Sequence, residues 1–174
     1  MKCDYRTSLP VNHLAPFIIA RHLQKHLTKN SPARILFVST ICYDWQSLDF
    51  DDPEAKHDYE KYVQYSRTKL MNFMVGLKMA RDAPEGLTVN ILEPGVVETK
   101  LLRNGGYIGA PIEQGSKSST FCVLNPELDT LTGAYFDSNC KRVKKLSRDS
   151  TDQKQQEEVW KLSEDYCKKF NIYF

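Results

Sequence analysis

Tyr65 and Lys69 stand four residues apart in a stretch with helical periodicity, so both side chains project from one face, one turn apart. A free phenol with a pKa near ~10 is a poor acid or base at neutral pH. A neighbouring ammonium favours the phenolate. Lowering the phenol pKa by about two pH units corresponds to roughly 2.7 kcal/mol of differential stabilisation. Such a pair can give a proton to a carbonyl oxygen or take one from an alcohol. A surface Tyr beside a surface Lys does no chemistry, so the pair depends on the elements that carry it.

Those elements alternate. Residues 11–28 read as a helix, with Leu14, Phe17, Ile18, Leu23 and Leu27 near one face and Pro16 acceptable only in the first turn. Ile35–Val38 is a short apolar run suited to a strand buried on both faces. Residues 43–58 are polar and read as a loop. A long helix runs from about Glu60 to Arg81, with Leu70, Phe73, Met74 and Leu77 as its apolar stripe and Pro84 and Gly86 beyond its end. Leu87–Leu92 is the next strand, broken by Pro94-Gly95. A glycine-rich loop (Gly105, Gly106, Gly109), a helix over Ile112–Leu124, a short strand at Gly133–Phe136 and a last helix over Asp152–Lys169 follow. In that last helix Val159, Leu162, Tyr166 and Phe170 are expected to point inward. Helices of this length between strands act as crossovers, so the sheet is expected to be parallel. In a parallel sheet the carboxyl ends of the strands line the ligand edge. The loop 43–58 is long enough to bring Tyr65 over that edge, beside a hydroxyl from Ser39 or Thr40.

The composition narrows the classes. With 174 residues, 41% hydrophobic and 26% charged, the chain reads as one soluble globular domain. A net charge of +2 argues against a nucleic-acid partner, and the run Lys141–Lys145 reads as a solvated loop. Five cysteines (Cys3, Cys42, Cys122, Cys140, Cys167) without C-x-x-C spacing argue for reduced thiols rather than disulfides or zinc. His22 and His26 have a chelating spacing, but no further ligand completes a set, so no metal is expected. No run approaches the roughly 18 apolar residues of a membrane span, and no signal peptide precedes Val11.

Several segments taken together resemble the short-chain dehydrogenase/reductase family. They are Val11-Asn12-His13-Leu14, Val38-Ser39-Thr40, the Y-x-x-x-K at 65–69 and the P-G-x-x-x-T at 94–99, in the family's order and spacing. The segments Asn12–Phe17, Phe50-Asp51-Asp52, Tyr65–Leu70, Gly133–Asp137 and Trp160–Glu164 look most like its retinol-dehydrogenase branch. The resemblance implies an α/β fold: the C-terminal half of a Rossmann-type parallel sheet with flanking helices, as a single partial domain over residues 1–174. It implies an oxidoreductase that interconverts a lipophilic, retinoid- or steroid-like alcohol and its carbonyl with NAD or NADP. Tyr65 would be the acid/base. Lys69 would lower its pKa and bind the nicotinamide ribose. Asn12 would hold a relay water, and Thr40 stands where the family's substrate-orienting serine does. Pro94, Gly95, Val97 and Thr99 would hold the nicotinamide end, while Leu101, Leu102, Tyr107 and Ile108 wall an apolar pocket.

The sequence departs from the family at its start. A T-G-x-x-x-G-x-G loop, which cradles the pyrophosphate, does not occur before Val11. The expectation is therefore a truncated form, with an inactive fragment or interaction module as the alternative. Its first strand would offer an exposed edge for homo-oligomerisation or other association. A cytoplasmic location is expected, or an endoplasmic-reticulum membrane if an N-terminal anchor exists.

Overall fold

The computed structural model describes residues 8–104 and 106–174, without the side chain of Leu101. Strands β1 (Ala33–Val38), β2 (Leu87–Leu92) and β3 (Tyr135–Phe136) form one sheet in the order β1-β2-β3. Both pairings are parallel: Ala33 to Val38 lie opposite Leu87 to Leu92, and Ile91 and Leu92 lie opposite Tyr135 and Phe136. The fold is an incomplete Rossmann-type sheet with helices packed on it, in keeping with the alternation of periods in the sequence.

A π-turn over Pro10–Leu14 runs directly into helix α1 (Ala15–Lys29), which places Pro16 in the first turn of α1, as required of a residue without an N–H. Helix α2 (Lys61–Arg81) connects β1 to β2. Its N-terminus is capped by the Glu60 carboxylate, which accepts from the Val63 N–H at 2.7 Å. From Leu70 to Ala80 nearly every side chain of α2 is buried, and Leu70, Phe73, Met74 and Val75 are fully enclosed. Gly76 lets the helix sit this close to the sheet. A Cβ there would stand 2.9 Å from Ile91 Cγ1 and 3.3 Å from Phe37 Cδ2, closer than packed atoms tolerate.

Between β2 and β3 run the short helices α3 (Lys100–Asn104) and α4 (Ile112–Gly115), followed by α5 (Lys117–Leu124). The single helix expected over 112–124 is thus split at Ser116. After β3, a turn of helix α6 (Arg148–Thr151) leads into α7 (Gln153–Lys169), whose Asp152 cap accepts from the N–H groups of Lys154 and Gln155. Among the described residues no helix is long and apolar enough to cross a membrane.

Three expectations about the core are corrected. β1 is not buried on both faces: only Phe37 is buried, while Val38 is 48% exposed. Its only strand neighbour among the described residues is β2, so it is an edge, whereas all six residues of β2 are buried. Leu23 and Phe170 are exposed rather than inward. The buried stripe of α7 is Gln156, Val159, Ser163 and Cys167, half of it polar. Polar residues are accommodated there because each is hydrogen-bonded: Gln156 Nε2 donates to the Ser150 carbonyl at 2.7 Å, and Ser163 Oγ is paired as well. The open side of β1 and a face of α1 enclose a groove of about 600 Å³ that reaches Lys69 and Asn72.

Candidate active site

The carboxyl ends of β1 and β2 lie side by side. The chain leaves β1 through Ser39, whose N–H donates to the Leu92 carbonyl at 2.7 Å, so the turn at Ser39-Thr40 stands next to Glu93-Pro94. Thr40 is extended (φ −155°, ψ 158°) and starts a 3₁₀ turn, Ile41–Asp44, by accepting from the Cys42 N–H. Ser66 ties that turn to α2 by donating to the Cys42 carbonyl at 2.6 Å. Tyr65 is thereby brought over the strand ends, with the Thr40 side chain near its phenol.

Burial pushes the Tyr65 phenol above its usual pKa. The Thr40 hydrogen bond opposes this, and the nearby Cys42 thiol adds to it. Lys69 is held away from the hydroxyl. Its Nζ donates to the Val38 carbonyl at 3.1 Å and lies 5.9 Å from the centre of the Tyr65 ring. Burial lowers the Lys69 pKa. Burial, Thr40 and Cys42, rather than the ammonium, set the direction of the phenol's shift. The ammonium satisfies a backbone acceptor at the end of β1 instead. Ser39 is buried, with its hydroxyl aimed at the Lys69 carbonyl 3.4 Å away, so of the two adjacent hydroxyls it is Thr40 that meets Tyr65.

Asn12 reaches the same helix from the π-turn. Its Nδ2 donates to Thr68 Oγ1 at 3.3 Å, and Thr68 in turn donates to the Tyr65 carbonyl at 2.8 Å. Tyr65, Lys69, Thr40 and Asn12 are thus joined through the Tyr65–Lys69 turn of α2.

Pro94, Gly95, Val97 and Thr99 follow β2 as one loop. Gly95 has φ +76°, and a Cβ there would stand 3.1 Å from Ser138 Cβ, so only glycine is unstrained at this position. Val97 bridges Ala110 in parallel and packs on Gly115. Thr99 is exposed and caps α3, its Oγ1 accepting from the Leu102 N–H at 3.3 Å. Tyr107 is drawn onto the first turn of α2 by a contact between its hydroxyl and that of Tyr62. Ile108 points to solvent (89% exposed) and walls nothing among the described residues. Gly105 and the Leu101 side chain lie outside the described residues.

Pattern reading missed Glu93. It is buried (5% exposed), and its carboxylate accepts from the N–H groups of Gly95 and Ser138, at 2.8 and 2.9 Å. It pins the Pro94–Thr99 loop to the end of β3. A charged residue directly after a six-residue, wholly buried strand (Leu87–Leu92) with four apolar members is the available signal, because a charge at that depth needs partners.

No family model matches the chain. It is 32% identical over 171 residues to Retinol dehydrogenase 14 of Homo sapiens, an alignment that covers 88% of this chain and 50% of that protein. Retinol dehydrogenase 12 of Homo sapiens is 29% identical over 170 residues, with 91% and 53% covered. Among solved structures, a 4-hydroxyisoleucine dehydrogenase complexed with NADH superposes with a TM-score of 0.57 at 16% identity, over 79% of this chain and 58% of that one. These similarities are in keeping with the resemblance to the short-chain dehydrogenase/reductase family. Within it the similarity is to the retinol-dehydrogenase-like branch, and the chain spans about half the length of the curated relatives it matches.

Proposed function

We propose that these residues form the catalytic part of an NAD(P)-dependent oxidoreductase that interconverts a lipophilic alcohol and its carbonyl. The observation that carries the reading is the Tyr65 phenol, held at the carboxyl edge of the sheet beside Thr40 by the Ser66–Cys42 tie, with Lys69 one turn away. In this reading Tyr65 gives its proton to the carbonyl oxygen in reduction, or takes the alcohol proton in oxidation. Thr40 orients that oxygen. Lys69 and the Pro94–Thr99 loop hold the nicotinamide end of the dinucleotide.

The residues fit such a group. Among the described residues the Lys69 ammonium makes one hydrogen bond, to Val38, although it can donate three. The exposed Val96 and Thr99 leave the loop accessible. When bound, the nicotinamide supplies or takes up the hydride. Asn12 is the candidate anchor for a water that connects Lys69 to solvent.

Retinoids are the first substrates to test, since the relatives at about 30% identity are retinol dehydrogenases. The intact protein should oxidise retinol with NAD or NADP, or reduce retinal with NADH or NADPH. A steroid alcohol and its ketone serve as the alternative lipophilic pair. Turnover of a short polar alcohol, with none of the lipophilic pairs, would overturn the substrate class.

A further inference from the structure

A second polar assembly lies behind the candidate active site, on the far side of Asn12. His13, next in the π-turn, has no exposed surface. Its Nδ1 is 2.9 Å from Asn72 Oδ1 and its Nε2 is 2.7 Å from Ser163 Oγ. Asn72, three residues beyond Lys69 on α2, donates through Nδ2 to the Asn12 carbonyl at 2.6 Å. Three buried side chains (Ser163, His13 and Asn72) and the Asn12 carbonyl thus connect α7, the π-turn and α2.

One arrangement of protons satisfies both ends of the Asn72 amide. Asn72 must present its NH₂ to the Asn12 carbonyl, because the reverse orientation would set two carbonyl oxygens against each other. Its Oδ1 therefore faces His13 Nδ1, which must carry a proton. His13 Nε2 is then an acceptor for the Ser163 hydroxyl, whose one hydrogen it shares with the Val159 carbonyl, also 2.7 Å from Oγ. The Asn12 carbonyl is available for this bond because Pro16, four residues on, has no N–H to give it.

We propose that His13 is a positioning residue: through Nδ1–H it locks the Asn72 amide in the orientation that holds the Asn12 carbonyl, and so fixes the Asn12 turn against the Tyr65–Lys69 turn of α2. The inference rests on the function proposed above. Asn12 touches α2 at two places, Thr68 and Asn72, which flank Lys69. If the second contact is lost, the turn can shift relative to Lys69 while the fold persists. Displacements of about 1 Å at that distance from the chemistry can cost up to ~10²-fold in rate.

The test compares three variants of the intact protein in the retinal/NADPH and retinol/NAD assays. His13→Leu keeps the volume and removes both ring nitrogens. His13→Asn returns a donor at the place of Nδ1 but leaves Ser163 unmatched. Val159→Ala loosens the same α7–α2 packing but keeps every network side chain and the Val159 carbonyl that accepts from Ser163. With rates scaled to folded protein, His13→Leu should lower kcat at least ~10-fold and leave KM within about twofold. His13→Asn should recover most of that kcat while its thermal midpoint stays depressed. Val159→Ala should lose midpoint and keep kcat. If His13→Leu does not fold, Asn72→Ala removes the link itself and should show the same split between kcat and KM. A wild-type kcat per folded molecule in His13→Leu or Asn72→Ala, with Tyr65→Phe inactive, overturns the role of His13 alone. Activity retained in Tyr65→Phe overturns the underlying reading.

Discussion

The ammonium of Lys69 lies 5.9 Å from the centre of the Tyr65 ring and is turned toward the Val38 carbonyl. The phenol pKa is raised by burial, which the Thr40 side chain opposes. Tyr65 should therefore titrate above an ordinary tyrosine and be fully protonated at neutral pH, ready to donate to a carbonyl. The difference in phenolate absorbance between the parent and Tyr65→Phe reads this directly. Lys69→Met should leave that titration above an ordinary tyrosine's and still lower turnover by at least ~10²-fold, through the loss of its contacts to ligand. A Tyr65 titration that moves strongly upward in Lys69→Met would show that the ammonium already tunes the phenol without ligand.

Thr40 and Ser39 offer a ranking. Thr40 meets the Tyr65 hydroxyl, while Ser39 is turned into the protein toward the Lys69 carbonyl. Thr40→Val should cost more turnover than Ser39→Ala at equal folded fraction. Steady-state rates for both variants of the intact protein decide it, and the reverse order would assign the orienting role to Ser39.

Glu93 stabilises through two charge-assisted hydrogen bonds in a buried place. In Glu93→Gln one of the two N–H groups faces an amide NH₂, so a loss of roughly 1.5–3 kcal/mol is expected. Urea unfolding measures it. A variant as stable as the parent would mean that the loop holds its shape without this carboxylate.

His13 gives the stability a pH dependence with a defined sign. Burial lowers its pKa from 6.5 to about 4, although Asn72 opposes this. Because the folded value is depressed, the contribution is present above pH 6.5 and is lost as pH falls through 4. The gap is worth roughly 3 kcal/mol at full loss. Urea midpoints at neutral pH and at progressively lower pH should decline through this window in the parent and decline less in His13→Asn.

Much of this was legible in the sequence, and the failures have physical causes. The extent of α2 was readable because Leu70, Phe73 and Met74 repeat at helical spacing and Pro84 and Gly86 stop it. β2 was readable because its six residues are enclosed on both faces. Periodicity fails where inward positions are polar. Gln156 and Ser163 look like surface residues until their partners Ser150 and His13 are seen in space. It fails again on the faces of β1, where the apolar run implied burial and only Phe37 is buried, although the open edge itself was expected. The site followed the same division. Y-x-x-x-K located Tyr65 and Lys69, while the direction in which the Lys69 ammonium points is a tertiary fact.

The central claim is that Tyr65 is the acid/base of an alcohol–carbonyl oxidoreductase. The direct measurement is the turnover of Tyr65→Phe in the intact protein, under conditions where the parent interconverts retinol and retinal. Removing one hydroxyl from a side chain that is 37% exposed should leave the fold unchanged. Turnover is expected to fall at least ~100-fold, the low end for a lost general acid/base. Turnover within a few-fold of the parent, at equal folded fraction, would contradict the account.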